Sequence, residues 1–139
     1  MTEKQYLRLK AEPETYKKLC NGLGPDKYRK IIQSAVGKKL FKVPADIHDV
    51  RTLRGGSQKR RERAEIDFLK DCIYWIRKEG HKYNAKYYYM AGAAFVALKV
   101  KGAEHWNFRE KPLDFITLVK VARTKKDEKT TTRAIYALP

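Results

Sequence analysis

Apolar residues follow two rhythms along this chain, spacings of three and four through its middle and a spacing of two near its start. In Lys4 to Lys10, Gln5, Leu7 and Leu9 alternate with Tyr6, Arg8 and Lys10, the period of a half-buried strand. Pro13 suits a first helical turn, where its missing N–H is not needed, and the short helix through Thr15 to Leu19 should stop at Asn21-Gly22 and Gly24-Pro25. From Asp26 onward Tyr28, Ile31, Ile32, Ala35 and Val36 form an apolar stripe flanked by Lys27, Arg29, Lys30 and Lys38. That pattern predicts an amphipathic helix ending near Val43-Pro44. Asp46 to Leu53 is ambiguous between the two rhythms.

Gly55-Gly56 marks a flexible joint, and Ser57 is placed to cap the helix after it. In that helix Ala64, Phe68, Cys72, Trp75 and Ile76 share one broad face, and Gly80 supplies the left-handed residue that closes it. After the turn His81-Lys82-Tyr83-Asn84, the segment Ala85 to Val100 is apolar nearly all round, which predicts a helix packed on several sides at the centre of the core. Beyond Gly102, β-branched residues dominate Asp114 to Arg123 and Thr130 to Leu138, and the polar Thr124 to Lys129 reads as a hairpin loop between two strands. A lone hairpin is marginal, so Lys4 to Lys10 is expected to supply a third strand. The expected fold is α+β: about four helices with a small terminal antiparallel sheet. Two helices, a short turn and a later hairpin also satisfy the element order of a winged helix-turn-helix. The opening segment and the two helices after it resemble a ribbon-helix-helix unit in element order over the first third alone, and the long remainder has no place in so small a fold.

Composition narrows the partner more than the fold. At 139 residues the chain has the length of one domain, with hydrophobic residues at 42% and nine tyrosines, too much apolar surface for a disordered basic tail. Against 16 acidic residues stand 32 Lys and Arg, a formal net charge of +16. Such an excess opposes condensation unless a polyanion neutralises it. Cys20 and Cys72 are far apart with no partner pattern, and the N-terminus is too polar for a secretory signal, so a reducing, cytoplasmic setting with free thiols is expected. The longest apolar run, Tyr87 to Leu98, falls short of the ~20 residues that span a bilayer.

Two segments are candidate interfaces. The densest basic run, Arg51 to Arg63, reads as a flexible arm. It offers Arg51, Arg54, Lys59, Arg60, Arg61 and Arg63 to phosphates, where each contact releases counterions without reading sequence. Lys27, Arg29 and Lys30 add a basic helix face. The second segment interleaves Arg77, Lys78, Lys82 and Lys86 with Tyr83, Asn84 and Tyr87. Here cations hold a backbone, rings stack on unpaired bases, and the amide suits an adenine edge.

Chemistry is less well supported. The histidines are scattered, no Cys or His pair has zinc-site spacing, and no phosphate-cradling glycine loop is present, so neither metal nor cofactor is expected. His105 with Arg109 is the one arrangement compatible with a metal-free nuclease, His105 as base and Arg109 steadying the phosphorane. The sequence therefore points to a non-enzymatic, single-domain protein that binds DNA or RNA chiefly through phosphate. Small, very basic chains of this kind are by association accessory proteins of mobile elements, phage-like ones included, or of nucleoprotein machines. The alternative is an inhibitor or adaptor that docks an acidic protein or a nucleoprotein complex through the same positive surface. No membrane is implied, and the sequence leaves the oligomeric state open.

Overall fold

Seven α-helices make up the regular structure among the described residues, 2–20 and 35–139, of a computed structural model. They are α1 (Glu3–Lys10), α2 (Pro13–Leu19), α3 (Ala35–Arg54), α4 (Gln58–Lys78), α5 (Ala85–Lys101), α6 (Phe115–Thr124) and α7 (Glu128–Tyr136), with a single 3-10 turn at Gly102–Glu104 after α5. No strand occurs among the described residues. Among those residues the only ladder contact is an isolated bridge between Gly56 and Phe108. The expected α+β fold with its terminal sheet is therefore wrong, and so is the winged-helix order that depended on the hairpin.

Each misread element has a local cause. The opening segment is helical because Thr2 and Gln5 form a reciprocal cap: the Gln5 N–H donates to Thr2 Oγ1 at 3.2 Å and the Thr2 N–H to Gln5 Oε1 at 2.9 Å. Its buried residues, Tyr6 and Leu9, are spaced by three, while Leu7 faces solvent. In α6 the buried set is Phe115, Leu118 and Ala122, a helical stripe that outweighs the β-propensity of its Ile, Thr and Val residues. In α7 Asp127 caps the Thr130 N–H at 2.8 Å, and Thr131 and Ile135 are buried one turn apart. The middle helix does not end near Val43-Pro44 but runs on to Arg54, so the ambiguous stretch is helical, with Pro44 inside it. The part expected from Asp26 to Ser34 lies outside the described residues.

α3 organises the rest because its two halves serve two apolar clusters. Leu40, Phe41 and Ala45 pack with Phe68, Cys72 and Ile76 of α4 and with Tyr87, Met90, Ala91 and Ala94 of α5. Val50 and Leu53 pack with Leu9, Leu19, Cys20, Phe115, Leu118, Ala122 and Ile135 from α1, α2, α6 and α7. A buried polar pin joins the first elements to α3. The Tyr6 and Tyr16 hydroxyls both donate to Asp46 Oδ2, and Lys42 Nζ lies 3.6 Å from the same oxygen. Burial, followed by the neighbouring Asp46 carboxylate, pushes the Tyr6 hydroxyl up to about 12.

α5 does not sit at the centre of the core as its composition predicts. It buries one face, Tyr87, Met90, Ala91 and Ala94, and on the other leaves Tyr89, Val96 and Val100 exposed. A helix apolar on all sides carries no information about how many sides have neighbours.

Candidate nucleic-acid interface

The basic run from Arg51 to Arg63 forms the last turn of α3, a two-glycine corner and the first turns of α4. Gly55 has φ +70° and Gly56 φ +127°, and a Cβ on Gly55 would lie 1.8 Å from the Asn107 carbonyl oxygen, so only glycine permits this approach. The Gly56 N–H donates to the Asn107 carbonyl at 3.1 Å, while the Gly56 carbonyl accepts from the Arg109 N–H at 3.2 Å and from Trp106 Nε1 at 3.0 Å. The same strap closes the end of α3. Asn107 Nδ2 donates to the Leu53 carbonyl at 2.8 Å, the Asn107 N–H to Thr52 at 3.3 Å and the Leu113 N–H to Arg54 at 2.8 Å.

Most of the arginines expected to meet phosphate here are engaged within the fold. Arg51 lies 3.8 Å from Asp71 and 4.0 Å from Asp67. Arg54 donates through Nε to the Leu113 carbonyl at 2.7 Å, and burial, then the nearby Arg60 charge, lowers its proton affinity. Arg61 is buried against Glu65, whose carboxyl is raised because desolvation exceeds the pull of Arg61. Arg63 reaches Asp67 at 3.4 Å from an exposed position. Lys59 and Arg60 are exposed at the start of α4. The binding candidates Lys27, Arg29 and Lys30 lie outside the described residues.

The closed end of the α4–α5 hairpin is arranged differently. α4 ends in paired bonds from the Gly80 N–H to the Arg77 carbonyl at 3.1 Å and from the His81 N–H to Ile76 at 2.9 Å, with Gly80 at φ +82°. α5 begins at Asn84, whose Oδ1 accepts the Lys86 N–H at 3.1 Å. Between and beside these caps Arg77, Lys78, Lys82 and Lys86 are all exposed, with Glu79 as the one acidic residue in the segment. Tyr83 is 90% exposed, and the outward Tyr74 packs edge-on against Trp75 with centroids 6.0 Å apart. Lys78 Nζ lies 4.6 Å from the Trp75 ring and 5.7 Å from Tyr74, and Lys82 lies 5.5 Å from Tyr83. Lys78 with Tyr74 and Trp75, and Lys82 with Tyr83, therefore already pair cation with ring.

Two residues of this segment serve the fold instead. Tyr87 is buried and meets His81 edge-on at 4.8 Å, which removes it from any base-stacking surface. The Asn84 carbonyl is occupied by its cap, so bidentate pairing with adenine would uncap α5. Tyr74 and Trp75 are contributors that sequence reasoning placed in the helix without assigning to the site. Their position one turn before Arg77 and Lys78 is the signal that finds them.

The two residues suggested for a metal-free nuclease are His105 and Arg109. Arg109 Nη2 donates to the carbonyls of Leu138 and Pro139, whereas His105 is exposed and offers its backbone carbonyl to the Tyr136 hydroxyl. His48 is buried beside Phe68, and burial followed by the Arg51 charge lowers it to about 4, so it is neutral at physiological pH. No group of metal-ligating side chains occurs among the described residues, and no described helix is long and apolar enough to cross a membrane. No family model matches this chain, and neither does any curated protein or solved structure.

Proposed function

We propose that this protein binds nucleic acid through the closed end of the α4–α5 hairpin. Arg77, Lys78, Lys82 and Lys86 hold phosphates while Tyr83 and Tyr74 stack on unpaired bases. The observation that carries this reading is the coincidence, within the last turn and a half of α4, the connecting turn and the start of α5, of four exposed cations with two exposed tyrosines. Exposed rings beside cations suit single strands, whose bases are open to stacking, better than a closed duplex. The outward face of α5 beyond the turn is apolar, which does not suit a recognition helix lying in a major groove. Lys59 and Arg60 at the α3–α4 corner provide a second, weaker phosphate contact.

The test is fluorescence anisotropy with labelled single- and double-stranded DNA and RNA at two salt concentrations. Reversing Lys78, Lys82 and Lys86 to Glu should flatten the dependence of log affinity on log salt by about two units for a single strand. Tyr83→Ala should weaken single-strand binding by about 1–3 kcal/mol and leave duplex binding nearly unchanged. Unchanged affinity and salt slope after both changes would remove the hairpin end from the reading. Absence of binding to every nucleic acid at low salt would remove the reading itself and favour docking of an acidic protein.

A further inference from the structure

The uncovered face of α5 has a regular pattern. Tyr89, Ala93, Val96 and Val100 follow one another at intervals of four, three and four, so they form one stripe along about 16 Å of helix. Tyr89 is 78% exposed, Val96 57% and Val100 69%, while the opposite face carries the buried Tyr87, Met90, Ala91 and Ala94. Intervals of three and four are those by which one helix seats against another, and Ala93 in mid-stripe allows a close approach. Exposed valines at this spacing leave apolar area in water.

The charges beside the stripe choose the occupant. α5 contains no Asp or Glu, and its charged residues are Lys86, Lys99 and Lys101. Lys99 lies over the Phe95 ring at 5.6 Å and Lys101 lies 3.7 Å from Glu104 at the helix end. A second copy would bring the same lysines face to face, and each copy carries a net charge of +16. A helix whose apolar stripe is flanked by Asp and Glu meets Lys86 on one side of this stripe and Lys99 on the other.

We infer that the outer face of α5 docks an acidic amphipathic helix of a partner protein, the apolar stripe seated on Tyr89, Ala93, Val96 and Val100 and its carboxylates on the flanking lysines. The apolar stripe and Lys99 lie beyond the hairpin end and share only Lys86 with it, so changes confined to Val96 and Val100 test this proposal apart from the nucleic-acid reading. A protein with both surfaces would tether a nucleic acid to an acidic partner.

The probe is a three-heptad helical peptide with Leu at its core positions and Glu at the flanking ones, titrated by calorimetry into the full chain. Two control peptides replace Glu by Lys or keep the composition with the leucines out of register. The acidic in-register peptide should bind, and both controls should bind roughly tenfold or more weakly. Val96→Ser with Val100→Ser, exposed changes that keep the net charge, should cost a similar factor while circular dichroism and nucleic-acid binding stay unchanged. Equal binding of in-register and scrambled acidic peptides, or no effect of the serine changes, would overturn the proposal. So would self-association in sedimentation, or binding to phosphatidylcholine–phosphatidylserine vesicles, that those serine changes abolish, because the stripe would then belong to a second copy or to a lipid surface.

Discussion

Replacing Gly55 by alanine tests whether the α3–α4 corner is held by close backbone approach or only by backbone conformation. Gly55 and Gly80 both have positive φ, +70° and +82°, so alanine at either meets a left-handed penalty of ~1 kcal/mol, partly offset by the lower entropy of the unfolded alanine chain. They differ in surroundings. A Cβ on Gly80 meets nothing within 4 Å, whereas on Gly55 it meets the Asn107 carbonyl oxygen at 1.8 Å and Asn107 Cβ at 2.8 Å. Relieving that overlap moves the 106–109 strap away and endangers three bonds: Gly56 N–H to Asn107, Arg109 N–H to Gly56, and Asn107 Nδ2 to Leu53. At about 1 kcal/mol each, Gly55→Ala should cost about 4 kcal/mol and Gly80→Ala under about 1 kcal/mol. Urea unfolding followed by circular dichroism, with m held constant, measures both. Equal losses for the two variants would refute the close-approach argument.

His48 gives a pH dependence. Its folded value near 4 lies below the unfolded value near 6.5, so the unfolded chain binds the extra proton first. Stability from this residue is complete above about pH 6.5 and falls as pH drops toward 4, by about 3 kcal/mol at most, and urea titrations of His48→Phe should lack that component. Asp46→Ala should destabilise by about 2–4 kcal/mol in the same assay, because it strands the Tyr6 and Tyr16 hydroxyls in a buried site. Asn84→Ala removes the α5 cap and should cost about 1 kcal/mol while leaving the salt slope of nucleic-acid binding unchanged. Phe41→Ala in one apolar cluster and Ile135→Ala in the other should each lower a single shared unfolding midpoint, because α3 belongs to both; two separated calorimetric transitions would show that the clusters unfold apart.

The helices that the sequence made legible are those whose signals lie within four residues of one another. Pro13 starts α2, Ser57 caps α4 through the Arg60 N–H at 3.3 Å, and Gly80 closes it, all as the residue types predict. The Thr2–Gln5 box and the Asp127 cap are equally local signals, but in the same segments the alternation of Leu7 with Leu9 and the β-branched runs point to strands. β-propensity measures fit to a pleated surface, and these segments have no such surface to join.

The chain by itself determined the helical caps, the large positive charge and the interleaving of cations with tyrosines from Arg77 to Tyr89, because each is a property of neighbours along the backbone. Only the folded arrangement decided which charges are taken up within the fold and which stay outward. Arg51 meets Asp71, Arg61 sinks against Glu65, and Arg123 pairs with Glu12 from the far end of the chain, whereas Lys78 and Lys82 stay outward. Tertiary packing likewise gave α5 one buried face instead of several. Ion pairing and burial depend on distances across the fold that a one-dimensional pattern does not contain, whereas capping and charge do not.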